Sequence, residues 1–202
     1  MQIPYNGSMM KNFIVFAWIL LFSFTIWASE RNKMFLMQVR QFSTKKESVD
    51  YAHKQIKDEN SSFRIDAVEF IREIKDVDSI PLLQEYVNDR DINTFVIYAL
   101  GDLQAFEATS VLIELLNHSN PNVRGNAFAA LGKIYPLHLP QGYAYKEPET
   151  RRNRQIKKIK LWWDKSGLTL QKNYQRDLHS DQQAKEALWE KYGKKYLMDS
   201  SH

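Results

Sequence analysis

Five histidines, His53, His118, His138, His179 and His202, are the side chains best suited to shuttle protons or hold a metal near neutral pH, and no two of them lie three or four residues apart. A metal site raised on one helix face needs that spacing, so none is expected. Cysteine is absent, which excludes disulfides, thiol nucleophiles, thiolate metal ligands and a lipid-modified cysteine near the N-terminus. The chain also has no G-x-S-x-G elbow, no glycine-rich phosphate loop and no Ser/His/Asp set in a recognisable order. These residues assign no catalytic role and no cofactor. Charge carries more signal. Arg151, Arg152, Arg154, Lys157, Lys158 and Lys160 place six cations within ten residues, directly before Trp162 and Trp163. Such a run can meet an anionic membrane surface, an acidic protein or a phosphate backbone. It also fits the solvated face of a helix whose opposite face buries Ile156, Ile159 and Trp163.

The elements that must carry these side chains repeat. Residues 63–91 align with 92–120 without a gap at an offset of 29, and residues 121–134 begin a third copy. In the first half of each copy the matched columns are Ala67/Val96/Ala127, Phe70/Ala99/Ala130, Ile71/Leu100/Leu131 and Ile74/Leu103/Ile134. That i, i+3, i+4, i+7 pattern is the apolar stripe of one amphipathic helix. In the second half Leu82/Val111, Leu83/Leu112, Tyr86/Leu115 and Val87/Leu116 form a second stripe, with Asn88/Asn117 where the helix is expected to stop. Each copy is therefore a helical hairpin, and hairpins repeated at this period bury their sides by stacking.

The third copy reads Pro-Asn-Val-Arg-Gly-Asn-Ala-Phe-Ala-Ala-Leu-Gly-Lys-Ile over 121–134. Val123, Arg124, Ala127, Ala130, Leu131, Gly132 and Ile134 closely resemble the first helix of HEAT-like repeats of the phycobilin-lyase type. The second copy keeps Ala99, Leu100, Gly101 and Leu103 but has Asn93 in the arginine column; the first keeps Arg64, Ala67, Ile71 and Ile74 but has Arg72 in the glycine column. Gly142-Tyr143-Ala144-Tyr145, then a helix ending Ile159-Lys160-Leu161-Trp162-Trp163-Asp164, is similar to the closing segment of bacterial HEAT-repeat proteins. The resemblance implies an all-α fold, a short α-α superhelix of the HEAT/armadillo-like solenoid kind with about two and a half hairpins. It makes Arg64 and Arg124 bonds to carboxylates or carbonyls of an adjacent repeat. The iron-binding relatives, deoxyhypusine hydroxylases, use His-Glu pairs, and no His-Glu dipeptide occurs here. A lyase-like accessory role would require a bound pigment.

Around the repeats, residues 12–29 carry no charge and are almost wholly apolar from Phe13 to Phe22. Residues 1–29 read as a removable signal peptide or as a single N-terminal membrane anchor, a hydrophobic helix in either case. Both place the chain at a bacterial envelope, exported or anchored in the inner membrane, and argue against nucleic acid. Residues 30–62 read as linker and leading cap helix, with Thr44 and Glu47 forming a capping box and Val49, Ala52 and Ile56 one apolar face. Residues 135–167 form a tyrosine-bearing loop and the basic, Trp-rich closing helix, which Pro148 opens and Gly167 stops. Residues 168–202 form a tail with a helix over 181–197.

The net charge of +4 hides an asymmetry: residues 63–121 hold four basic and eleven acidic side chains, residues 148–202 thirteen basic and seven acidic. In the repeat class that the chain resembles, second helices line the concave surface. Carried over, that surface presents Gln84, Glu85, Asn88, Asp89, Ile113, Glu114 and Asn117. The expected function is a non-catalytic scaffold that holds a protein partner on this acidic face. The alternative is contact with an anionic membrane surface or acidic partner through Arg151, Arg152, Arg154, Lys157 and Lys158.

Overall fold

The computed structural model describes residues 30–167 together with 169 and 170, and among these every regular element is helical. Helix α1 covers residues 30–39, followed by α2 (Lys45–Lys57), α3 (Arg64–Glu73), α4 (Ile80–Glu85), α5 (Asn93–Asp102), α6 (Thr109–Leu115), α7 (Pro121–Ile134) and α8 (Glu149–Trp162). The first helices α3, α5 and α7 stand side by side in one row, with α2 beside α3. The second helices form the other row, α4 against α5, α6 against α7, and α8 against α6. This is the stacked arrangement that the 29-residue period requires. All four columns of each first helix are buried, from Ala67, Phe70, Ile71 and Ile74 to Ala127, Ala130, Leu131 and Ile134.

The hairpins repeat in their turns as well as their cores. Lys75 and Gln104, 29 residues apart, both have positive φ, at 55° and 51°. Each sits just past a first helix, where Asp76 N–H reaches Ile71 O and Ala105 N–H reaches Leu100 O. These left-handed residues satisfy helix-end carbonyls that would otherwise lie unpaired. A short 3₁₀ turn then leads into α4 or α6. The second helices end at Glu85 and Leu115, short of the expected stop at Asn88 and Asn117. Tight bonds such as Tyr86 N–H to Leu83 O and His118 N–H to Leu115 O complete the turn, so Val87 and Leu116 are buried from outside the helix proper.

Small residues set the spacing. A Cβ on Gly101 of α5 would lie 2.9 Å from Ala130 Cα of α7, closer than side chains come, so this glycine lets the two helices touch. At the N-terminal end the Thr44 capping box is formed as expected, with Glu47 N–H on the Thr44 hydroxyl at 3.2 Å and Thr44 N–H on the Glu47 carboxylate at 3.1 Å. Helix α1 was not legible from the sequence pattern. It packs Phe35 and Val39 into the core, and Arg31 bonds Asp66 of α3 at 2.6 Å.

At the other end the closing helix does what the pattern implies: Ile156 and Ile159 are buried, and Trp162 and Trp163 pack on the fully buried Tyr135. The Tyr135 hydroxyl donates to Thr109 Oγ1 at 2.8 Å, since that oxygen donates its own proton to Phe106 O. Gly167 is not a helix stop. A π-helical turn, Trp163–Gly167, extends α8, residues 169 and 170 are helical, and a Cβ on Gly167 would overlap the Trp163 ring. The expected tail helix over 181–197 lies outside the described residues.

Candidate binding surfaces

The seven residues expected on the concave surface fall into two sets. Gln84, Glu85, Asn88 and Asp89 belong to α4 and the turn after it; Glu85 and Asn88 are exposed and Gln84 is half-buried. Asp89 is already engaged, because its carboxylate accepts from the Arg64 guanidinium at 2.6 Å. Ile113 and Glu114 of α6, with Asn117 of the turn after it, form one wall of a groove of about 420 Å³. The facing wall comes from α8, through Asn153, Ile156, Lys157, Lys160, Leu161 and Asp164. Ile113 is 3% exposed and Ile156 6%, so they make an apolar floor and not a projecting contact. Glu114, Lys157, Lys160 and Asp164 rim that floor, and none of them pairs with another charge among the described residues.

The repeat frame around this groove is independently recognisable. The family model of the HEAT repeat matches residues 109–138, which run through α6, the turn at Asn120 and the whole of α7. This is a HEAT-like repeat protein. No curated protein and no solved structure gives a significant match to the chain. The match is to the general HEAT repeat and carries nothing of the phycobilin-lyase subtype. It pairs α6 with α7, whereas the 29-residue period groups α5 with α6. Both framings describe one continuous stack. HEAT repeats generally mediate protein–protein interaction, which suggests a scaffold.

In this HEAT-like stack the basic helix does not present one face. Arg152 is half-buried and donates to Glu147 O at 2.6 Å, and Arg151 pairs with the Glu147 carboxylate at 3.2 Å. Lys157 turns into the groove with Lys160. Only Arg154 and Lys158, with Arg151, form an outer basic ridge at i, i+3, i+7 spacing. The groove residues Asn153, Lys157, Lys160 and Asp164 are spaced by four, three and four, so this second face was open to reading from the sequence. What hid it was the neighbour: nothing local to α8 says that α6 stands beside it.

The two arginines of the HEAT-like pattern are structural, as the resemblance implies. Arg64 donates Nε to Ile56 O at 3.1 Å and both terminal nitrogens to Asp89. Burial pushes the Asp89 carboxyl up, but bonds from Arg64 and from the Asp91 and Ile92 amides outweigh it and hold the group below the usual carboxylate range. Arg124 donates to His118 O, Ser119 O and Tyr145 O, at 2.7, 2.8 and 2.9 Å. Arg64 is 5% exposed and Arg124 7%, so both guanidiniums act inside the stack. A second network joins the first helices: Arg72 of α3 bonds Glu69, Glu73 and Asp102, and Lys133 of α7 also bonds Asp102. Glu73, Asp102 and Lys133 occupy one column of the three copies, so stacking alone brings them into line.

One serine, one histidine and one aspartate do meet. His53 Nε2 lies 2.6 Å from Ser79 Oγ, Ser79 Oγ donates to Asp76 Oδ2 at 2.6 Å, and Lys45 pairs with Asp76 Oδ1 at 2.8 Å. The order is wrong for nucleophilic catalysis. The serine proton goes to the aspartate, the histidine therefore donates, and Ser79 is fully buried. The chain pins α2 to the first hairpin. Among the described residues no group of three or more His, Cys, Asp or Glu could hold a metal. Burial favours the neutral imidazole and lowers the His53 pKa, Asp76 raising it, Lys57 lowering it and Asp50 raising it by smaller amounts. The unfolded chain then binds a proton where the folded chain does not, so stability falls as pH drops from about 6.5, the ordinary histidine value, toward the lowered native one. Thermal unfolding followed by circular dichroism should show a smaller loss between about pH 7 and pH 5 in His53→Gln than in the wild type.

Proposed function

We propose that the chain is a non-catalytic scaffold that captures a protein partner in the groove between α6 and α8. The observation that carries this reading is the composition of the groove: an apolar floor of Ile113 and Ile156, the half-exposed Leu161 at its edge, and unpaired charges of both signs on its rim. Desolvated apolar area supplies affinity, while the rim charges select register and partner. A partner segment that offers an apolar side chain flanked by a carboxylate toward α8 and a cation toward α6 fits this pattern. The uncharged run over residues 12–29 supports placing the scaffold at a bacterial envelope, as an exported or an anchored protein. Those residues lie outside the described part, and among the described residues no helix is long and apolar enough to cross a membrane.

The test is site-specific photocross-linking in cells. A photoreactive residue at Asn117 or Asn153 is expected to trap one common protein, and the same residue at the exposed Leu137 is not. Glu114→Lys should abolish the product while far-UV circular dichroism stays unchanged. Equal trapping from all three positions, or an unaffected product in Glu114→Lys, rejects the groove. The outer ridge of Arg151, Arg154 and Lys158 supports a second reading, contact with an anionic membrane surface. In fractionated cells that reading requires salt-sensitive membrane association that Arg154→Glu with Lys158→Glu removes and Glu114→Lys does not.

A further inference from the structure

A cleft of different chemistry, about 440 Å³, opens on the first-helix side between α5 and α7. Thr94, Tyr98, Asn122, Gly125, Asn126 and Tyr145 line it, so it contains no carboxylate, ammonium, guanidinium or imidazole. It shares no residue with the groove between α6 and α8. Asn122 and Asn126 stand one turn apart on α7 and flank Gly125, which leaves the floor between them bare. Each amide side chain offers two donors and an acceptor. Neither is engaged by another side chain among the described residues, nor are the hydroxyls of Tyr98 and Tyr145.

The walls are held in place before any ligand arrives. A Cβ on Gly125 would lie 3.3 Å from the Tyr145 ring, so the ring rests directly against α7. The Tyr145 carbonyl accepts from the buried Arg124 at 2.9 Å, the Tyr143 hydroxyl donates to Leu116 O at 2.5 Å, and Gln155 accepts from Ala144 N–H at 3.1 Å. These bonds fix the loop that carries the ring, and preorganisation of this kind removes much of the entropy cost of binding. Tyr98, 39% exposed, makes the opposite wall, with Lys133 Nζ 5.6 Å from its ring centre. Lys133 is itself bonded to Asp102, and Lys146 lies 5.5 Å from the Tyr145 ring centre outside the lining.

Two aromatic walls over a floor of amides and a hydroxyl suit a ligand that alternates C–H faces with hydroxyl groups. An apolar helix finds no apolar floor here, and a phosphate or carboxylate finds no cation in the lining. From this geometry we infer that the cleft binds a neutral sugar ring, with the ring's C–H face against a tyrosine and its hydroxyls on Asn122, Asn126 and Thr94. The site is separate from the scaffold groove and stands or falls without it.

Saturation-transfer NMR on the full-length protein, with cellotriose, maltotriose and chitotriose as probes, tests this directly. At least one trisaccharide should give saturable transfer, and Tyr98→Ala and Asn126→Ala should each weaken it about tenfold, the loss expected for one ring contact or one well-placed hydrogen-bonding group. Both residues are partly exposed, so the variants should keep the wild-type circular dichroism spectrum. Absence of transfer from all three probes, or transfer that both variants leave intact, overturns the inference. AMP or an uncharged alanine tetrapeptide binding more tightly than every sugar, and losing affinity in the same variants, would assign the cleft to another ligand class and overturn it equally.

Discussion

Replacing Arg64 with alanine is expected to lower the midpoint of thermal unfolding by roughly 10 °C, the equivalent of about 3 kcal/mol in a stack of this size. Arg64 is 5% exposed, and its guanidinium joins three segments at once: its own helix α3, the end of α2 through Ile56 O, and the turn after α4 through Asp89. Truncation leaves the Ile56 carbonyl without this donor and the Asp89 carboxylate half-buried without its cation, which costs more than the pair itself contributes. Arg64→Lys should recover only part of the loss, because an ammonium cannot span a carbonyl and both carboxylate oxygens in one plane. The acid limb of the stability curve gives a second readout. Asp89 titrates below the usual carboxylate range in the folded state, so the stability that it adds is present at neutral pH and lost as pH falls through that lowered value. Arg64→Ala should flatten this limb. An alanine variant that melts within a degree or two of the wild type, with an unchanged acid limb, would show that the arginine is dispensable to the stack.

Phe35→Ala is the other large effect, expected at about 4 kcal/mol by the same melting measurement. The ring is fully buried, with ring centres of Tyr51, Phe63 and Phe70 at 5.7, 6.0 and 5.8 Å. Those three rings come from α2, the start of α3 and the body of α3, so removing Phe35 leaves a cavity at a junction that cannot close without moving a helix. Met34 and Met37 on the same helix are exposed, and their alanine variants should be near neutral. Equal melting of Phe35→Ala and Met34→Ala would mean that α1 is not part of the folded stack.

These two residues also mark how far the sequence could be read. Arg64 was visible because it opens the first repeat and recurs as Arg124 in the third, where the same column again bonds groups of neighbouring segments. Phe35 was not visible. It lies outside the repeats, and an i, i+4 pair such as Phe35 and Val39 is too short a period to distinguish a helix from a linker. The candidate binding residues divide in the same way. Glu85 and Glu114 project to solvent from the polar side of short helices whose apolar stripe is plain in the sequence, and Asn88 and Asn117 from the turns that follow them. Ile113 shares that stretch of chain yet is buried, because α8 lies across it.

By itself the sequence determined the repeat helices, the Thr44 capping box and the stacked architecture. Each depends on side chains within one or two turns, or on a period that copies the same contact from one hairpin to the next. Only the tertiary structure decided which outward residues share a surface. The basic run of α8 divides between a groove and an outer ridge; His53 meets Ser79 and Asp76 without the geometry of a catalytic set; Tyr145 reaches Gly125 to wall a cleft. Such meetings depend on where a long connection, here residues 135–148, delivers a helix sideways, and pairing across that distance leaves no periodic trace in the chain.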